Sequence, residues 1–157
     1  MKNLELLVIH CTATPGDRNI TGLDIRLMHT SPPPMGRGWK QVGYTDLVRL
    51  NGYVERLVDN NEDNMVDSWE ITNGVAGMNS KCRNIVYAGG IDKKGKPLDT
   101  RTEEQTESLE IYVTNFIARF PKVKVAGHYQ LDKNKACPSF DVPAWLQSIG
   151  IPSKNIY

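Results

Sequence analysis

Three cysteines, Cys11, Cys82 and Cys137, are too few for a disulfide framework, so the chain is expected to be made in a reducing compartment and to rely on packing. No apolar run approaches the ~18 residues that a membrane span needs. The opening Met-Lys-Asn-Leu-Glu-Leu-Leu-Val-Ile-His has a short apolar core and no small-residue cleavage pattern, so it reads as a strand rather than a secretory signal. Charge of one sign is missing as well. The 19 basic and 18 acidic residues leave a formal charge of +1 without any block of like charge, which excludes nucleic acid and membrane insertion as expected partners. Internal repeats and linkers are also absent, so residues 1–157 are expected to form one domain, with a monomer as the default.

What is present alternates between strand and helix signals. Leu4 to Ile9 is apolar but for Glu5, which fits a central strand with His10 at its C-terminal edge. Thr21-x-x-Asp24 has capping-box spacing, and Ile20 and Ile25 are placed to staple it, predicting a helix over about 22–30 that Ser31-Pro32-Pro33-Pro34 must end. Tyr44 to Leu50 and Tyr53 to Val58 flank Asn51-Gly52, a type I′ hairpin signal. Asp59 to Lys81 is polar and reads as a long loop, or a loop with a short helix. Asn84 to Ala88 gives a buried strand. A helix beginning after Thr102 carries Leu109, Tyr112, Val113, Phe116, Ile117 and Phe120 on one face. Val123 to Ala126 is a further strand, and Pro143 suits the first position of a last helix that buries Trp145, Leu146 and Ile149. This order predicts an α/β domain with a mixed central sheet flanked by helices.

The sequence holds only three histidines. His128 and Cys137, joined by a short polar loop, can converge on one ion, and His10 can supply a third ligand from the rim of the same sheet. Three nitrogen and sulfur ligands suggest a catalytic zinc, because structural sites close with four while catalytic sites leave one position open. Cys11 follows His10 directly and in a strand points to the opposite face, and His29 lies inside the first helix as a surface or packing residue. The residues alone also allow a plainer reading, with His128 a surface histidine and Cys137 a buried thiol.

Four pieces sharpen the choice: Val8-Ile9-His10-Cys11-Thr12-Ala13-Thr14, Trp39-Lys40-Gln41-Val42-Gly43-Tyr44, Tyr87-Ala88-Gly89-Gly90-Ile91-Asp92 and Lys135-Ala136-Cys137-Pro138-Ser139-Phe140-Asp141. In order and approximate spacing the chain resembles the zinc-dependent N-acetylmuramoyl-L-alanine amidases of type 2, above all the small phage endolysins, which share ancestry with peptidoglycan recognition proteins. The likeness runs from about Leu4 to Trp145. It implies one amidase domain over 1–157 and one Zn2+ held by His10, His128 and Cys137. Tyr44 and Lys135 match the family's two catalytic side chains. The implied reaction is hydrolysis of the amide between N-acetylmuramic acid and L-alanine, with peptidoglycan or muropeptides as partner. Zinc acidifies water and polarises a carbonyl, and an ammonium or phenol can steady the developing oxyanion. For Tyr44, oxyanion donor, water orienter and proton carrier all remain open. Synthesis in the cytoplasm followed by action on the cell wall after release or export is the expected course.

The chain departs from that pattern in places. Thr45 stands where members commonly have histidine, the loop between His128 and Cys137 is one residue longer than in the phage enzymes, and Asp59 to Lys81 is longer and lacks a histidine often found there. Trp39 suits either stacking on substrate or rim packing. Two other functions compete with this one. A non-catalytic peptidoglycan-binding module is opposed by Cys137, which such relatives typically lack. A cysteine hydrolase using Cys137 and His128 is opposed by Pro138 and by a third ligand at the same rim.

Overall fold

The N-terminal apolar run becomes the centre of a sheet. In the computed structural model, which describes all 157 residues, the elements in chain order are β1 (Leu6–Cys11), α1 (Gly22–Thr30), β2 (Asp46–Val48), β3 (Val54–Arg56), β4 (Cys82–Tyr87), α2 (Glu103–Arg119), β5 (Lys124–Gly127), α3 (His128–Leu131) and α4 (Val142–Ser148). The strands lie in the order β3-β2-β4-β1-β5. Only β2 and β3 pair antiparallel, so the sheet is mixed, as expected. All six residues of β1 are buried, which a strand covered on both faces requires. The strand begins at Leu6 rather than Leu4 and includes His10 and Cys11.

Alternation along the strands divides the interior. Leu7, Ile9, Cys11, Ile85, Tyr87 and Val125 join an 18-residue core with Leu109, Val113 and Leu146 from α2 and α4. Leu47, Val86 and Ala88 pack with Ile20 and Ile25 around α1, and Leu6 and Val8 pack with Val75 and Cys82. The three cysteines are free, and no helix is long and apolar enough to cross a membrane.

Local chemistry sets the helix starts. Thr21 and Asp24 exchange both capping bonds, Asp24 N–H to Thr21 Oγ1 at 3.3 Å and Thr21 N–H to Asp24 Oδ2 at 2.8 Å. Thr102 and Gln105 do the same for α2, and the Gln105 amide also donates to the carbonyls of Val48 and Ala88, at 3.3 and 2.9 Å, tying the helix start to the sheet. Asp141 caps α4, but Val142 rather than Pro143 takes its first position. The reason is a donor: the Val142 N–H, which proline lacks, reaches Tyr129 Oη at 3.1 Å.

The Asn51-Gly52 hairpin forms, but with a longer turn than type I′. Arg49 N–H donates to Tyr53 O and Gly52 N–H to Arg49 O. Only Gly52 of the turn has positive φ, at 86°; Asn51 instead accepts the Tyr53 N–H on its side chain at 3.0 Å. This is the three-residue loop in which a tight turn precedes a left-handed glycine. Residues 59–81 are mostly loop, with short helical turns at Ser68–Glu70 and Asn79–Lys81. The sequence reading missed the pairing of Met65–Val66 with Lys2–Asn3.

Candidate active site

Sheet order brings the two histidines together. Ile9 pairs with Gly127 across β1 and β5, so His10 and His128 both follow paired residues at one rim. Their ring centroids are 4.7 Å apart. Cys137 arrives on the loop after α3, and one donor atom from each of the three residues lies within 4.8 Å of the others. Three hydrogen bonds fix that loop: Tyr129 N–H to Cys137 O at 2.9 Å, Tyr87 O–H to Pro138 O at 2.7 Å and Ser139 O–H to Gly90 O at 2.8 Å. Cys11 Sγ packs in the opposite core, but its backbone N–H donates to Cys137 Sγ at 3.1 Å.

Electrostatics leave these groups ready to bind a cation. His10 is buried, and burial, aided by His128, pushes its pKa down to about 3 against the pull of the Asn84 hydrogen bond. Burial and the nearby Lys135 ammonium lower His128 as well. Both imidazoles are therefore neutral at pH 7, the form that ligates metal. Burial pushes the Cys137 thiol up, with the Cys11 side chain adding to the rise, so binding a cation there must release a proton. The His10 Nε2–H donates to Asn84 Oδ1 at 2.7 Å, which leaves Nδ1 bare and 3.8 Å from Cys137 Sγ. Two neutral imidazoles and a thiol with one position to spare fit zinc in its catalytic form.

His128 and Cys137, with His10 buried beside them, line a cleft of about 780 Å³ that is also lined by Tyr44, Lys135, His29, Trp39 and Asn73. The Tyr44 ring lies 5.1 Å from that of His10. Burial, then the neighbouring Cys137, holds its hydroxyl pKa above the ordinary value, so Tyr44 is a proton donor at neutral pH. Lys135 is exposed on the loop, two residues before Cys137.

His29 is not on the surface. It is buried between Trp39 and Tyr44, with ring centroids at 4.9 and 5.2 Å, and its Nδ1 accepts the Gly43 N–H at 3.0 Å. Burial, then Arg37, lowers its pKa to about 4. Trp39 is half-buried, packed on His29 with the Arg37 guanidinium 5.0 Å over its ring. Thr45 is buried, and its hydroxyl accepts the Asn84 N–H at 3.3 Å. Sequence reasoning overlooked Asn84 and Thr72, whose side chains bond to each other at 2.8 Å; a polar residue opening an apolar strand was the available signal for the first.

No protein-family model matches the chain. The endolysin of Enterobacteria phage K11 is 30% identical over 140 residues, which span 89% of this chain and 83% of that protein. The endolysin of Escherichia phage T7 is 28% identical over 146 residues, 93% of this chain and 87% of its own. Among solved structures, the N-acetylmuramoyl-L-alanine amidase LysC from Clostridium intestinale URNW shares the fold with a TM-score of 0.73 at 19% identity, over 96% of this chain and 88% of LysC. A variant of Drosophila PGRP-LB in complex with tracheal cytotoxin gives a TM-score of 0.69 at 15% identity, over 100% of this chain and 85% of its own. The chain belongs to the phage endolysins of the type 2 N-acetylmuramoyl-L-alanine amidase family, related to the peptidoglycan recognition proteins, and is a peptidoglycan hydrolase of the amidase kind.

Proposed function

We propose that residues 1–157 act as one monomeric, zinc-dependent amidase domain that cleaves between the lactyl group of N-acetylmuramic acid and L-alanine of the stem peptide. The observation that carries this reading is the convergence of His10, His128 and Cys137 within 4.8 Å, with His128 and Cys137 lining a cleft. These three residues would hold one Zn2+. When bound, zinc supplies Lewis acidity toward the scissile carbonyl and a water acidic enough to serve as nucleophile near neutral pH.

The chain's own side chains supply the rest. The Lys135 ammonium, on the same cleft wall, stabilises the negative charge that develops on the carbonyl oxygen. Tyr44, kept protonated by burial, donates a hydrogen bond to that oxygen or passes its proton toward the departing amine. Trp39 and Asn73 bound the space in which the glycan-peptide junction lies. The complex of the Drosophila relative with tracheal cytotoxin supports a muropeptide as the ligand of this cleft. The protein is made in the cytoplasm and reaches the wall after release or export.

The test is digestion of purified sacculi with and without a zinc chelator, with the released ends read by mass spectrometry. Zinc-dependent release of peptides with a free L-alanine amino terminus is expected. Cleavage within the glycan or between peptide residues, or cleavage indifferent to chelation, would overturn the assignment.

A further inference from the structure

Asn84 occupies a position that favours no polar side chain. It lies in β4, between β2 and β1, with 0% of its surface exposed. A buried amide is stable only when its donors and acceptor are matched, and here they are matched in a directed chain. Thr72 Oγ1 accepts from Asn84 Nδ2 at 2.8 Å, and Asn84 Oδ1 accepts from His10 Nε2 at 2.7 Å. The backbone is held too: Thr45 N–H donates to Asn84 O at 2.7 Å, and Thr45 Oγ1 accepts the Asn84 N–H. Room for the amide depends on Gly74, where any Cβ would collide with the Asn84 side chain. Val8 pairs with Asn84 and His10 with Val86, so His10 and Asn84 share one face of the sheet as diagonal neighbours.

We propose that Asn84, braced by Thr72 and by the close approach of Gly74, is a positioning residue that fixes His10 with its proton on Nε2 and its Nδ1 lone pair turned toward the metal. This rests on the zinc reading of the site. A neutral imidazole carries one donor nitrogen and one acceptor, and the bond made by one nitrogen decides which form is present. The 3.8 Å separation puts Nδ1 on the Cys137 side, so the useful tautomer is the one that needs an acceptor beyond Nε2. Asn84 Oδ1 is that acceptor, and the Nδ2–H bond to Thr72 Oγ1 holds the amide in place behind it. The 59–81 segment thereby gains two duties: Asn73 and Gly74 line the cleft, while Thr72 and Gly74 hold the amide that orients a ligand.

Nitrogen-15 chemical shifts of the metal-free wild-type protein read the tautomer directly, and zinc affinity from competition with a chromophoric chelator reads its consequence. The wild type should show His10 protonated at Nε2. Asn84→Leu, of similar volume but without the acceptor, should bind zinc about 10- to 100-fold more weakly, whereas Asn84→Asp, which keeps an acceptor, should remain close to the wild type. Thr72→Val removes only the brace and should give a smaller loss in the same direction, which covers the case of an Asn84→Leu protein that does not fold. A proton on Nδ1 in the wild type, or equal zinc affinity in wild type and folded Asn84→Leu, overturns the inference and leaves the zinc reading standing. A wild type that takes up no zinc overturns that reading beneath it.

Discussion

The two faces of the sheet are built from the same strands by opposite means. On the α2 and α4 face, Leu7, Ile9, Ile85 and Tyr87 enter an 18-residue apolar core. On the other face the apolar clusters hold only 8 and 4 buried residues, and His10, Thr45, Thr72 and Asn84 are buried there. One residue of register exchanges the faces, so β1 supplies stability with Ile9 and chemistry with His10. The first face is held mainly by apolar contacts, with Tyr87 and Gln105 adding hydrogen bonds at its edges. The second is held by hydrogen bonds that admit few substitutes.

Separate substitutions should therefore break the faces separately. Cys137→Ser should cost the most: zinc content by mass spectrometry and sacculus hydrolysis should fall about a hundredfold or more, beyond what loss of a supporting group costs, while metal-free protein melts nearly as before. Leu109→Ala, on the other face, should cost about 2–5 kcal/mol of stability by denaturant titration. Turnover measured well below its melting point should stay near that of the wild type; a parallel loss of zinc affinity would show that the faces are coupled. Lys135→Met should lower kcat by about 10²- to 10³-fold, as removal of an oxyanion donor does, with zinc affinity unchanged.

The last effect concerns acid. His10 at about 3 and His29 at about 4 both lie below the 6.5 of an exposed histidine. Below pH 6.5 the unfolded chain takes up protons that the folded protein refuses, so the contribution is complete above that pH and is lost progressively toward pH 4. Each histidine adds a slope of up to about 1.4 kcal/mol per pH unit. Urea midpoints of metal-free protein between pH 7.5 and 5 measure it, and His29→Asn should reduce the slope. A slope unchanged by that substitution would mean that His29 titrates normally.

Legibility in the sequence followed the range of the interactions. The starts of α1 and α2 were readable because Thr21 with Asp24, and Thr102 with Gln105, act over three residues. The strand carrying His10 was readable from its apolar run, and the convergence of His10, His128 and Cys137 from two strand ends with a cysteine nine residues beyond the second. Roles for Tyr44 and Lys135 came from resemblance rather than spacing. The 59–81 segment resisted because its anchors are distant or side-chain made. Glu70, for example, is buried and accepts the N–H of Asn61 and of Asp67. For His29 the sequence left surface and packing roles open for a similar reason: what buries it is the return of the Trp39 to Tyr44 loop, which no helical periodicity announces.

The strand that carries His10 precedes in the chain every strand that pairs with it in the sheet. β1 has no partner in the sheet until β4 appears at residue 82 and β5 at residue 124, and His10 waits through 127 positions for Cys137. A chain that stops short of Cys137 cannot bring that rim together. The three groups of the rim therefore come together only once the chain has been made as far as Cys137.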